Sequence, residues 1–188
     1  LGTQSHLVDL QRGFRRNQVL VELSGPRFVV EAALARALGR LIAQLGDGEL
    51  EGSELRVTAS GETTELGSAL TQHVAAAFLA AFGHAATPMS ALYEAKQLGL
   101  QVVSMSGDQN ERTGLAVHWR EHSVAGRRDR GVARLTEFEG HAFDLPLGGF
   151  GVGVKNEDQP GVIGAVGTAL GGAGVNVARL QVGLDEGS

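Results

Sequence analysis

Phe150-Gly-Val-Gly-Val-Lys-Asn-Glu-Asp-Gln-Pro-Gly-Val-Ile-Gly164, with Gly174-Val-Asn-Val177 ten residues further on, is the stretch that decides the fold. It predicts a strand over 150–155, a loop over 156–159 and a helix over 160–173. Gly174 stops that helix, and a second strand is expected over 175–182, giving a β–α–β unit. Pro160 pre-sets the first helical turn, and the free N–H groups from Gly161 through Val162 and Ile163 to Gly164 point back at the loop. A helix start of this kind favours a carboxylate or a phosphate. Asn156 and Asp158 bring side-chain oxygens that can accept bonds from an ammonium group. Carboxylate at the helix start and ammonium at the oxygens describe an α-amino acid. Ordinary capping by Asp158, with glycines serving only helix–strand packing, accounts for the same residues equally well.

Upstream, Pro146-Leu-Gly-Gly149 is the best linker candidate. Before it, Val30, Leu34, Leu38, Leu41, Ile42 and Leu45 recur at helical spacing, so an amphipathic helix is expected over 28–45, ended by Gly46-Asp-Gly48. Leu55, Val57 and Ala59 alternate with polar residues as a half-buried strand does. A second helix is expected over 64–82. Thr87-Pro88 opens a short third helix over 89–98, with Gly99 at its left-handed cap. Strands are expected over 100–106, 113–120, 130–136 and 138–144, with a turn or bulge at Glu139-Gly140. The domains expected are an unassigned leader over 1–26, with a short strand at 19–23; a connecting helix over 27–48; a sheet-and-helix domain over 49–147; and a small unit over 148–188. The class is α+β.

The 188 residues are 43% apolar, and the longest apolar run, 74–82, is far too short for a membrane span. No membrane partner is expected. Cys is absent, which excludes disulfides, thiolate metal sites and cysteine nucleophiles. No basic segment followed by an apolar one opens the sequence, so the cytoplasm is the expected location. A net charge of −5 and 5% aromatics argue against a nucleic-acid partner. Gly is abundant, yet Gly46/Gly48, Gly149/Gly151, Gly151/Gly153 and Gly172/Gly174 all lack the third glycine of G-x-G-x-x-G, and no P-loop occurs. No cofactor site is therefore expected in this chain. His118 and His122 have a metal-like spacing only on a helix, and their stretch reads as strand and turn. No metal site and no catalytic grouping are expected.

The basic cluster carries more. Arg112, Arg120, Arg127, Arg128, Arg130 and Arg134 face only Glu121 and Asp129 within an acidic chain. Arg suits bidentate recognition of phosphate or carboxylate. A solvated hairpin loop around 126–131 is the plainer reading of the same residues.

Asp158-Gln-Pro-Gly-Val-Ile-Gly164, the spaced Gly167 and Gly171, and Gly172-Ala-Gly-Val-Asn-Val177 resemble the opening of an ACT domain, a regulatory module that binds amino acids. The strand at 55–59, the helix over 64–82, Pro88-Met-Ser-Ala-Leu-Tyr-Glu-Ala-Lys-Gln-Leu-Gly99 and Phe138-Glu-Gly-His-Ala-Phe-Asp-Leu145 resemble the allosteric substrate-binding domain that precedes ACT in long-form D-3-phosphoglycerate dehydrogenases. The resemblance covers about residues 28–184. It implies an L-serine site formed between two ACT modules from Asn156, Asp158 and Asn176, with Gly161, Val162 and Ile163 at the carboxylate. It also implies an anionic effector near Arg134 and His141, with Arg127, Arg128 and Arg130 close by. A homo-oligomer formed through 150–182 follows, because half of a ferredoxin-like ACT module buries too little alone. The family's NAD motif and catalytic residues have no counterpart here, so NAD is implied only for a parent enzyme. Residues 1–26 match nothing in the family. The regulatory part of an iron–sulfur L-serine dehydratase, or a stand-alone amino-acid sensor, is the alternative.

Overall fold

The computed structural model describes residues 4–9, 26–46, 48–110, 112–148, 150–155 and 160–182. In chain order these form β1 (Gln4–Asp9), α1 (Pro26–Leu45), β2 (Glu54–Ser60), a 3-10 turn (Gly61–Leu66), α2 (Gly67–Ala81) and α3 (Ala91–Gln97). They continue as β3 (Gln101–Ser106), β4 (Gly114–Trp119), β5 (His122–Asp129), β6 (Val132–Phe138), β7 (His141–Pro146), β8 (Phe150–Lys155) and α4 (Val162–Gly172).

The spacing of Leu34, Leu38 and Ile42 does what it predicts: all three are fully buried, and α1 packs against α2 and across β4, β5 and β6. Gly39 permits the approach of α1 to α2, since a Cβ there would collide with the main chain of Val74. α2 is buried on several sides because it meets α1, α3, β2 and β3. Leu55, Val57 and Ala59 from β2 and Leu115, Val117 and Trp119 from β4 face the helices, in the expected alternation.

Six strands form one sheet in the order β3-β2-β4-β5-β6-β7, with β2 and β3 parallel and every other pair antiparallel. The parallel pair needs a crossover, which α2 and α3 supply. The hairpins turn at residues with left-handed backbone: Arg120 (φ 56°), Arg130-Gly131 (φ 48° and 85°) and Glu139-Gly140 (φ 53° and 80°). The α+β class and the Glu139-Gly140 turn thus stand as expected.

Four expectations need correction. Of the hairpin loop expected around 126–131, residues 126–129 are instead the end of strand β5, paired on both sides, and the turn is confined to Arg130-Gly131. The last strand of the sheet begins at His141 rather than 138, because Phe138 still pairs with Val124 at the end of β6. The helix expected from 64 starts as a tighter 3-10 turn and becomes α-helical only at Gly67. Residues 175–182 form no strand; β8 pairs instead with β1, antiparallel, from Gln4↔Lys155 to Asp9↔Phe150. The Gln181 side chain instead accepts the Asp144 N–H of β7 (3.0 Å), so this segment reaches the large sheet's edge. The linker candidate is tied down as well: Leu147 is buried and its N–H donates to the Ala133 carbonyl (2.8 Å). The strand expected at 19–23 lies outside the described residues.

Candidate functional site

β5 and β6 divide the arginine cluster between the two faces of the sheet. Side chains alternate along a strand, and Gly126 faces the helices, where Leu34 and Leu38 of α1 cross it. Arg128 shares that side, and its Nε donates to Oε1 of the buried Glu31 at 3.1 Å. Arg127 lies on the other side, directly opposite Arg134 in the ladder. Arg134 is already engaged: Nε donates to Asp144 Oδ1 at 2.5 Å and Nη2 to the Asp144 carbonyl at 3.1 Å. That hydrogen bond raises the Arg134 pKa and holds the Asp144 carboxyl below the usual range. Arg130 sits in the turn at the end of the hairpin. His141 pairs with Phe138, at the far end of the β6–β7 ladder from the Arg134–Pro146 pair, so the two are not brought together.

Arg127 and Arg112 border a depression of about 280 Å³ on the face away from the helices. Arg112 precedes β4 by two residues and carries no sequence signal beyond its membership of the cluster. Another depression, of about 390 Å³, lies elsewhere, between Glu49, Glu51, Phe82 and His84. A third polar group was not legible in the sequence. His122 Nδ1 meets Glu139 Oε2 at 3.0 Å, and Glu139 Oε1 accepts the Ser123 N–H at 3.2 Å, which fixes the β6–β7 turn onto β5.

In the C-terminal unit, Gly161 adopts φ 93°, which only glycine takes readily, and its carbonyl accepts the Ala165 N–H as α4 begins. Val162 and Ile163 form the first turn, with Ile163 exposed. Asn176 is exposed beyond the far end of α4, after Gly174 (φ 73°). Eleven helical residues span about 16 Å, so Gly161 and Asn176 of one chain are held apart. Asn156 and Asp158 lie outside the described residues. Among the described residues no three His, Asp or Glu side chains are placed to hold a metal, and no helix is long and apolar enough to cross a membrane.

No protein-family model matches the chain. Two curated proteins are similar to it, both named D-3-phosphoglycerate dehydrogenase. That of Synechocystis sp. is 28% identical over 160 residues, which cover 80% of this chain and 28% of that protein. That of Mycobacterium leprae is 39% identical over 54 residues, 29% of this chain and 10% of that protein. The chain spans little more than a quarter of the length of the first relative. It is homologous to a segment of the larger enzyme D-3-phosphoglycerate dehydrogenase.

Proposed function

We propose that the chain is the regulatory, effector-binding part of a cytoplasmic, NAD-dependent D-3-phosphoglycerate dehydrogenase of serine biosynthesis. The observation that carries this reading is the similarity itself: it covers four-fifths of the chain and only 28% of the relative, in a sequence with no dinucleotide-binding motif. NAD and the catalytic residues then belong to the rest of the enzyme. L-Serine or a related amino acid binds at Asn156, Asp158, Gly161, Val162, Ile163 and Asn176. Helix-start N–H groups hold its carboxylate, and the side-chain oxygens hold its ammonium. The separation of Gly161 from Asn176 along α4 supports a site shared by two copies, so the assembly is a homo-oligomer joined through 150–182. Ile163, Val175, Val177 and Leu180 are exposed in one copy, which supports a further covering surface for this unit. A phosphate or carboxylate effector binds the arginine-rich sheet, which carries Arg127, Arg128, Arg130, Arg134 and His141. Both relatives bear the dehydrogenase name, which favours this parent over an L-serine dehydratase or a stand-alone sensor.

The purified chain is expected to show no NAD binding by calorimetry at micromolar concentrations, and no oxidation of 3-phosphoglycerate. Saturable NAD binding would overturn the reading, because a nucleotide site would then exist without its motif.

A further inference from the structure

The two edges of the six-stranded sheet are finished differently. β7 closes one edge with Asp144 and Pro146; its ladder to β6 is irregular at Leu135/Glu137, and the Gln181 side chain accepts its Asp144 N–H. A charge, a proline, an irregular ladder and a covering segment are the usual guards against a further strand. β3 forms the other edge and has none of them. Gln101–Ser106 reads Gln-Val-Val-Ser-Met-Ser, keeps unbroken register with β2, and meets no described strand on its outer side. Its inner side is fixed: the Gln101 N–H donates to the Ser53 carbonyl (2.9 Å) and the Gly107 N–H to the Ala59 carbonyl (2.8 Å). Strand parity therefore turns the main-chain N–H and C=O groups of Val102, Ser104 and Ser106 outward. Met105 is exposed, and with Val103 it lies on the face away from the helices, opposite Thr58 and Arg56 of β2.

We propose that β3 is an interface for a second copy of this chain, pairing antiparallel with its own counterpart about a twofold axis at Ser104 and joining two sheets into one. The inference goes beyond the assembly through 150–182 and uses a different surface. In this register the strand is complementary to itself. Ser104 opposes Ser104, Val102 opposes Ser106 of the second copy, and each such pair exchanges two ladder hydrogen bonds. Val103 then faces Met105 of the second copy, so the exposed thioether side chain gains an apolar neighbour. Charge agrees. Exposed Lys96 sits just before β3, its carbonyl accepting the Gly99 N–H, and exposed Asp108 sits just after it. Antiparallel pairing brings the Lys96 end of each copy to the Asp108 end of the other. On the helix side α3 is the outermost helix at this edge, packed on β3 and α2, and exposed Met89, Leu92 and Tyr93 lie on it and on the turn before it. The twofold axis sets two α3 helices beside the junction, where these side chains add apolar surface.

The chain has no cysteine, so a single introduced thiol reports on one place. Under mild oxidation Ser104→Cys should give a covalent dimer, because an opposed hydrogen-bonded pair holds its Cα atoms about 5.5 Å apart, within disulfide reach. Val102→Cys should not, since its counterpart lies four residues along the ladder, roughly 14 Å away. In sedimentation equilibrium Ser104→Pro, which removes an outward donor and spares the inner ladder, should weaken self-association by roughly tenfold through two lost hydrogen bonds. Adding Val177→Lys to Ser104→Cys charges the 150–182 unit and should leave the cross-link unchanged. If Ser104→Cys cross-links no more than Val102→Cys, or only while Val177 is intact, β3 is not an interface. An oligomer that Ser104→Pro leaves undiminished assembles through 150–182 alone, which overturns the β3 contact and leaves the serine-site reading standing.

Discussion

Trp119→Ala should lower the unfolding free energy by about 3–5 kcal/mol, the usual cost of emptying a large aromatic site. The chain's one tryptophan is fully buried, at the junction of the sheet with both long helices. Its ring meets Phe78 edge-on at 5.0 Å and Phe82 at 5.5 Å, the geometry that aromatic quadrupoles favour. Its Nε1 donates to Ser53 Oγ (3.1 Å), which in turn donates to the Leu50 carbonyl (2.7 Å). Gly46 lies against the ring so closely that a Cβ would overlap it, and the Arg120 guanidinium sits 5.2 Å from the ring centre. The loop after α1, the end of α2 and the β4–β5 turn therefore share one anchor. Urea unfolding followed by far-ultraviolet circular dichroism reads the effect without the lost fluorophore. A loss below about 1 kcal/mol, within the range of ordinary substitutions, would mean that this junction is not packed as described.

Acid should weaken the fold through His73. The imidazole is buried on α2, and burial, with the charge of Arg36 from α1 as the second cause, pushes its pKa down to about 4. An unfolded histidine titrates near ~6.5. Between those values the unfolded chain takes up a proton that the folded chain refuses, so stability is full above about pH 6.5 and falls towards pH 4. The displacement corresponds to about 3 kcal/mol. Carboxylates add their own acid sensitivity, so the comparison is between the unsubstituted chain and His73→Gln. The variant should lose less stability between pH 7 and pH 4.5 in urea titrations. Parallel pH profiles for the two proteins would show that His73 accepts its proton in the folded state.

Much of this architecture is legible where burial is one-sided. Helix α1 and strands β2 and β4 announce themselves because each offers one apolar face to a single core. Strand β5 is hidden for two reasons. Its core position under α1 is Gly126, which gives no apolar signal because Leu34 and Leu38 already fill the space a side chain would occupy. Its charged end, Arg127-Arg128-Asp129, looks like a solvated loop until Glu31, far away in sequence, is seen to accept from Arg128. The strand expected over 175–182 fails for the converse reason. Val175 and Val177 have the right pattern, but a strand needs a ladder partner, and no described strand pairs with this segment, which meets β7 only through the Gln181 side chain. The basic cluster was legible as a concentration of charge. Its division between an ion pair with buried Glu31 and an exposed ion pair with Asp144 depends on strand parity and on partners distant in sequence, which local sequence does not reveal.

The effector reading turns on L-serine. Calorimetric titration of the intact chain with L-serine, paired with its melting temperature at saturating ligand, tests it at the residues that carry it. Saturable binding is expected, with a stabilisation that grows with ligand concentration, about 2.7 kcal/mol at a hundred times Kd. Asp158→Ala should abolish both signals while leaving the ligand-free melting temperature in place. A folded, unsubstituted chain that shows neither heat nor stabilisation with L-serine, or an Asp158→Ala variant that binds it as well, would contradict an amino-acid site at this unit.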